Sequence, residues 1–318
     1  MSDGARATEH PAAGRPARPG VGYAAMAVTV AVWAGFALSL RGISSSRLQV
    51  ADVALLRFGV PTLLLLPLLP SRWAALRRVP AGAAGALLLG AGVPFFFTAT
   101  AGGALTSAAA VGTLVPGLVP AFTALGRRGR PAGVRGRRGG VAVALVVVGV
   151  LVLVVPGIAA GTRGVLAGAA LLVAASGLWA AYTGALARIG LDAVGCALLL
   201  CLPSTVVVAV LLATRAVPSS LATARFGDLL PFLLVQGLGV GFLAALTYPV
   251  AVQSLGPQRA AVLGTMSPVV VAVLAVPLLG EGLGPATAGG VALVTAGVLL
   301  AQAAPRRDPV TREGAVRA

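Results

Sequence analysis

The chain has 318 residues, of which 58% are hydrophobic and only 10% are charged, and its mean hydropathy is +0.98. Soluble domains contain about 45–50% apolar residues, so this composition excludes a soluble enzyme, a disordered chain and a disulfide-stabilised scaffold. The net charge of +16 comes from arginines that lie between apolar segments. There they indicate membrane topology rather than binding to nucleic acid, and we predict a polytopic helical membrane protein.

Ten apolar stretches follow one another along the chain, separated by charged and turn residues. A helix needs about 20 such residues to cross the hydrocarbon core of a bilayer, so an all-α membrane protein with ten transmembrane helices is predicted. The predicted helices cover residues 22–40, 51–69, 82–101, 105–125, 140–157, 165–186, 193–213, 228–253, 259–280 and 285–303. The first 20 residues carry prolines and arginines without the pattern of a removable signal, which predicts a solvated tail.

The arginines predict the orientation of these helices, because basic residues concentrate on the cytoplasmic side. Alternate connections and the two tails together hold 18 arginines, whereas the other connections hold five. This asymmetry places both termini in the cytoplasm, which requires an even number of spans. We therefore expect a multi-pass protein of the cell (inner or plasma) membrane.

The two halves of the chain repeat each other. The sequence WAGF at 33–36 is followed 146 residues later by WAAY at 179–182, and GTLVP at 112–116 is followed 152 residues later by GTMSP at 264–268. Each half contains five predicted spans, an odd number, so the second half enters the membrane from the opposite side. Inverted repeats of this kind recur in secondary transporters, with the substrate site at the midplane where the halves meet.

The predicted organisation is thus two tails and two inverted five-helix repeats. The tails comprise residues 1–20 and 305–318, and the repeats comprise residues 21–157 and 158–304.

These motifs resemble the EamA family of the drug/metabolite transporter superfamily over residues 20–304. The resemblance is carried by the tryptophan in the first span of each half, by Leu56-Arg57-Phe58, by Pro116 and Pro268, and by Leu279-Gly280-Glu281. It implies ten helices and the movement, often outward, of small metabolites that are often related to amino acids. Because the first half has Arg127 where the family commonly has an acid, a turn or capping role is favoured for Glu281.

Polar and aromatic side chains within the spans are the default functional candidates. Trp33 and Trp179 lie deeper than the interfacial belt where tryptophan usually anchors a helix, so they line a substrate cavity or pack between helices. The other candidates for the cavity wall are Tyr182, Tyr248, Gln236, Thr113 and Thr265. Each threonine has the alternative of a hydrogen bond to its own helix backbone.

A second group of residues has either a gating role or a structural role. Arg57 lies roughly 10 Å inside its span at about 1.5 Å per residue, where it either has a structural role near Asp52, reaching outward, or serves in gating and substrate access. Pro116 and Pro268 remove helix hydrogen bonds and are either hinges or ordinary kinks. The glycines at 237, 239 and 241 predict close helix contact rather than phosphate binding.

No carboxylate or histidine lies in the middle of a predicted span. Metal and catalytic sites therefore lack their ligands, so we expect no metal, no cofactor and no enzymatic activity. Facilitated diffusion, exchange or coupling through a peripheral acid is predicted. One arginine without an acid favours neutral or zwitterionic substrates over strongly charged ones.

A secondary transporter, most simply an exporter working by alternating access, is the predicted function. Its partners are a small-molecule substrate and the lipid bilayer, with no nucleic acid, and a homodimer is left open. The alternative is a non-transporting membrane sensor or a partner subunit.

Overall fold

The computed structural model describes residues 19–43, 45–125, 137–159, 161, 163–279 and 284–302, and within these ranges the chain is helical with short connections and no strand. The helices are α1 (Pro19–Ile43), α2 (Val50–Leu65), α3 (Leu69–Leu76), α4 (Ala81–Ala91), α5 (Val93–Ala104), α6 (Ala108–Gly117), α7 (Val119–Leu125), α8 (Arg137–Ala159), α9 (Val165–Leu186), α10 (Ala193–Ala213), α11 (Phe226–Phe232), α12 (Ala245–Leu255), α13 (Pro257–Gly264), α14 (Ser267–Leu279) and α15 (Pro285–Gln302). A 3-10 turn (Leu66–Leu68) joins α2 to α3, and a π-helical segment (Leu233–Ala244) joins α11 to α12.

Each apolar stretch of the sequence is helical in the described residues, with boundaries within a few residues of those predicted. Seven helical segments of the described chain are long and apolar enough to cross a membrane: Pro19–Leu40, Val50–Leu76, Ala81–Ala104, Gly140–Ala159, Val165–Leu186, Ala193–Ala213 and Phe226–Leu255. Two shorter apolar helices cover Ala108–Thr123 and Pro285–Leu300. The stretch predicted at 259–280 is divided between α13 and α14.

Prolines account for three of the breaks between consecutive helices. A proline lacks the backbone N–H and its ring clashes with the preceding turn of a helix. The break between α4 and α5 comes at Gly92, two residues before Pro94, and the break between α6 and α7 comes at Leu118, two residues before Pro120. Pro116 is the last residue but one of α6. Pro268 is the second residue of α14, where a proline is tolerated. The two prolines of the repeated motif therefore lie at helix ends, next to changes of direction.

Four sets of helix contacts hold the bundle together. Helix α1 packs against the π-helical segment and α12, and α9 packs against α4 and α5, while α2 packs against α10 and α8 against α15. The largest fully buried side chains include Tyr248, Phe58, Phe95 and Phe96. These large buried side chains therefore come from α2, α5 and α12.

Two glycines of the π-helical segment allow it to approach α2 closely. A Cβ on Gly241 would overlap the carbonyl oxygen of Arg57, and a Cβ on Gly237 would lie 2.9 Å from a methyl carbon of Val60. Small residues at such positions let two membrane helices make backbone contact. These glycines thus have the packing role that the sequence predicts, and they hold the backbone of Arg57 against the opposite half of the chain.

A buried carboxylate ties the beginning of α2 to the connection after α10. Asp52 is fully buried and accepts hydrogen bonds from the Ser219 hydroxyl at 2.6 Å and from the backbone N–H groups of Ser220 and Gln49, both at 2.9 Å. Three donors compensate the carboxylate for lost water. Asp52 therefore fixes this end of the α2–α10 pair.

A second carboxylate ties the opposite end of the same pair. Asp192 accepts a hydrogen bond from the Gly195 N–H at 2.8 Å, which caps α10, and its other oxygen lies 2.9 Å from Arg72 Nη2 in an ion pair. Since both side chains are partly exposed, this pair contributes little to stability. The ion pair instead fixes the geometry here, because it joins α3 to the beginning of α10.

Replacing Gly241 by alanine tests the close approach of the π-helical segment to α2. The added methyl group meets backbone that cannot move aside, and we expect Gly241→Ala to lower the free energy of unfolding by about 1–3 kcal/mol. The measurement is the midpoint of thermal unfolding of the purified protein in detergent. Gly85→Ala is the control, because a Cβ there meets nothing within 4 Å and favours the helix. Equal midpoints for the two variants would contradict the contact.

The Asp52→Asn variant tests the tie at the beginning of α2. An amide keeps only one acceptor oxygen and turns donors toward groups that already donate, so we expect a loss of about 1–3 kcal/mol in the free energy of unfolding. Asp228→Asn is the matched control, because Asp228 also begins a helix but accepts only the Arg225 N–H, at 3.0 Å in an exposed position. A loss of the same size in both variants would show that Asp52 only caps its helix.

Candidate functional site

A cavity lies where α1, α2, α5, α6, α9, the π-helical segment and α14 converge. Its wall consists of Trp33, Phe36, Ala37, Arg57, Phe95, Val111, Gly112, Val115, Pro116, Trp179, Val240 and Ser267. Its free volume, measured to the centre of a water molecule, is about 20 Å³, which is room for about one water. An organic molecule therefore enters only if the surrounding helices move apart.

Aromatic rings form most of one side of this wall. We define the aromatic cluster as Trp33, Phe36, Phe95, Trp179, Tyr182 and Tyr248. The rings of Trp33 and Trp179 meet edge to face with their centroids 5.4 Å apart, and Phe95 lies 4.9 Å from Trp179 and 6.1 Å from Phe36. Edge-to-face and offset contacts at these distances are the favoured geometries for aromatic pairs. The two tryptophans that begin the repeated motif thus contact each other.

The two tyrosines stand behind the tryptophans. Tyr248 is 5.0 Å from Trp33, and Tyr182 is 5.0 Å from Trp179, measured between ring centroids. The Thr183 hydroxyl donates to the Trp179 carbonyl at 2.9 Å and lies 2.8 Å from the Tyr248 hydroxyl. Because Thr183 has a single proton to donate, Tyr248 is the donor in the second bond. The tyrosines therefore brace the tryptophans from outside the cavity.

A chain of hydrogen bonds holds Arg57 at the cavity wall. Arg57 Nη1 donates to Gln236 Oε1 at 3.0 Å, Gln236 Nε2 donates to Ser39 Oγ at 2.7 Å, and Ser39 Oγ donates to the Phe36 carbonyl at 2.8 Å. Arg57 is only 4% exposed and Gln236 is fully buried. The chain connects α2, the π-helical segment and α1, so the guanidinium is fixed by both halves of the protein.

Three phenyl rings surround the guanidinium. Its central carbon lies 4.9 Å from the centroid of Phe36, 5.4 Å from that of Phe96 and 5.6 Å from that of Phe58. Cation–π contacts contribute about 0.5–2 kcal/mol each, and the bond to Gln236 contributes about 1.5–3 kcal/mol. Arginine at the centre of a membrane helix costs about 2.5–3.5 kcal/mol on insertion scales. Arg57 is thus stabilised in the protein without an acidic partner.

The partner of Arg57 is Gln236 and not Asp52. Asp52 binds Ser219 and the preceding turn of its own helix, and Arg57 lines the central cavity instead of reaching outward. The sequence alone does not indicate this pairing, because Gln236 lies 179 positions away in the other half of the chain.

The remaining predicted residues divide into two groups. Trp33, Trp179, Arg57 and Pro116 form part of the cavity wall. Thr113 and Thr265 each donate to their own helix, to the carbonyls of Ala109 and Val262 at 2.6 Å, and Pro268 is in the first turn of α14. Glu281 lies outside the described residues.

Sequence reasoning missed Phe36, Phe95 and Ser267 at the wall. A signal for Phe95 is present in the run of three phenylalanines at 95–97 that follows Pro94. Ser267 belongs to the repeated GTMSP motif but occupies the position of a valine in the first half. Phe36 belongs to the motif at 33–36, in which the tryptophan is the stronger signal.

Comparison with known proteins agrees with this architecture. The sequence profile described as the EamA-like transporter family matches residues 166–302. No curated protein matches the chain. A solved chain titled only "Crystal structure of protein" shares 21% sequence identity and superposes with a TM-score of 0.60, covering 91% of this chain and 98% of its own. This likeness shows a common fold over nearly the whole chain.

The family profile lies on the second half of the chain, and the described residues contain seven helices that are long and apolar enough to cross a membrane. The chain is therefore a multi-pass membrane protein, and its residues 166–302 match the EamA-like transporter family, whose members are membrane transporters of the drug/metabolite transporter superfamily.

Proposed function

We propose that this protein is a secondary transporter that exports small neutral or zwitterionic metabolites, such as amino acids, across the cell membrane by alternating access. The observation that carries the proposal is the contact between Trp33 and Trp179 at the cavity wall. These residues occupy equivalent positions of the repeated motif, 146 residues apart. Transporters with inverted repeats bind substrate where the repeats meet, so the cavity is the substrate site.

The packing of the helices supports ten spans in two inverted repeats, residues 21–157 and 158–304. With the offset of about 150 residues, α1 corresponds to α9, and α4 with α5 corresponds to the unit from α11 to α12. Helix α1 packs on that unit of the second half, and α9 packs on α4 and α5 of the first half. The equivalent helices α2 and α10 pack on each other, as do α8 and α15. An exchange of this kind is expected from a pseudo-two-fold axis.

Contacts between connections support the predicted division of the connections between the two sides of the membrane. The ion pair of Arg72 with Asp192 joins two connections that the arginine distribution places in the cytoplasm. The bond between Asp52 and Ser219 joins two that it places outside. Connections predicted on one side of the membrane therefore contact each other, which supports the predicted alternation of sides, and the arginine distribution supplies the orientation.

The acids of the described residues favour coupling that does not depend on a proton relay in the cavity. Asp52, Asp192 and Asp228 each accept a backbone hydrogen bond at a helix end. The cavity wall contains none of them. Facilitated diffusion, exchange or coupling through one of these peripheral acids follows, within a single chain or a homodimer.

Transport by purified protein in proteoliposomes tests the proposal. A panel of amino acids, aromatic metabolites and cationic drugs is measured for uptake and efflux, with and without a pH gradient. We expect saturable movement of one neutral or zwitterionic class, with Trp179→Ala lowering transport about two- to tenfold because one aromatic wall is lost.

Trp73→Ala is the matched control, because Trp73 is 52% exposed and lies in α3, away from the cavity. It should transport at the wild-type rate. Folded protein that moves no compound of the panel would contradict the proposal and favour a sensor or a partner subunit. Equal loss in both variants would place the substrate elsewhere.

A further inference from the structure

Two buried polar groups at the cavity wall have no hydrogen-bond partner among the residues that the structure describes. They are Nε of Arg57 on α2 and Oγ of Ser267 at the start of α14. Buried polar groups in native proteins are nearly always satisfied, and an unmet group of this kind costs free energy that a ligand recovers when it binds. The cavity therefore offers a cationic donor and a hydroxyl to a ligand.

The charge of Arg57 is not neutralised by an acid of the described chain. The described acids are committed elsewhere: Asp52 to Ser219 and Ser220, Asp192 to Arg72, and Asp228 to the beginning of α11. The wall thus presents one positive charge and no negative charge. A guanidinium binds carboxylates through charge-assisted hydrogen bonds, which are about twice as strong as neutral ones.

The rest of the wall is apolar. It includes the indoles of Trp33 and Trp179, the phenyl ring of Phe95 and the side chains of Val111 and Val115. Surfaces of this kind bind an apolar or aromatic body and supply no acceptor for a second charged group.

We propose, as a deepening of the transport function argued above that extends its substrate class to organic anions, that the substrate is a monocarboxylate with an apolar body. Its carboxylate binds Arg57 and the Ser267 hydroxyl, and its body packs against the aromatic cluster. The site does not require an ammonium group, because the wall holds no carboxylate to pair with one. Both zwitterionic amino acids and simple organic acids contain this common group.

Gln236 makes the site available to such a substrate. Its amide orients the guanidinium through a neutral acceptor, so that the positive charge remains for a ligand. A carboxylate at position 236 would have the same shape but would form an ion pair with Arg57. In the Gln236→Glu variant, a carboxylate of the protein therefore pairs with Arg57 in place of the carboxylate of the substrate.

Binding of three probes to the purified full-length protein in detergent tests this proposal. The probes are 3-phenylpropanoate, which has only the carboxylate, phenylalanine, which has both charges, and phenylalaninamide, which lacks the carboxylate. Binding is followed by tryptophan fluorescence and by the rise in the midpoint of thermal unfolding. We expect the first two to bind and the amide to bind roughly 10- to 100-fold more weakly.

Gln236→Glu should weaken binding of both carboxylates roughly 10- to 100-fold and should not weaken binding of the amide, whose ammonium group gains from the added negative charge. Gln258→Glu is the control, because it adds the same charge at an exposed position of α13, and it should bind as the wild type does. Ser267→Ala, which leaves Arg57 in place, should cause a smaller loss for the carboxylates alone. The thermal midpoint of each unliganded variant shows that it is folded.

An amide that binds as tightly as the carboxylates, or carboxylate binding unaffected by Gln236→Glu, would overturn the proposal. Absence of binding by all three probes to folded protein would also overturn it. The transport function would still stand if the proteoliposome panel shows saturable movement of an uncharged compound, whereas no movement of any compound would contradict transport itself.

Discussion

The burial of Arg57 is the constraint on which the central part of the structure depends. A cation inside an apolar bundle must be compensated by the protein or by water, and here the compensation is a set of rings and one neutral amide. These groups come from α1, α2, α5 and the π-helical segment, so satisfying one side chain brings elements of both halves together. Because the compensation is not an ion pair, the charge stays available to a substrate.

The helices around the cavity combine close backbone contacts with breaks in the helices. Gly237 and Gly241 bring the π-helical segment against the backbone of α2, and Pro116 and Pro268 lie beside breaks in the helices that complete the wall. The first pair fixes Arg57 in place. The second pair divides helices into shorter rigid pieces, which can move relative to each other without losing internal hydrogen bonds. A cavity with room for about one water must widen to admit a metabolite, and we propose that it widens at these breaks.

The fold was largely predictable from the sequence, and the site was predictable only in part. Apolar length gives the helices directly, and the repeat predicts that Trp33 and Trp179 are equivalent and so meet. The helix breaks at Pro94 and Pro268 were harder to predict, because a proline in a membrane segment ends some helices and only kinks others. The pairing of Arg57 with Gln236 depends on tertiary packing across 179 positions, and no local pattern encodes it. Ser267 was not predicted, because its hydroxyl becomes a candidate ligand-binding group only in a cavity wall that also contains Arg57.

The proposed transport mechanism requires the cavity to open alternately to the two sides of the membrane, and accessibility of its wall tests this most directly. The chain has two cysteines, Cys196 and Cys201, both buried, so replacing both with alanine gives a background for Ser267→Cys. In right-side-out and inside-out vesicles, a membrane-impermeant thiol reagent should label this position from either side, and substrate should slow the labelling. Labelling from one side only, with or without substrate, or from neither side, would contradict alternating access at this cavity.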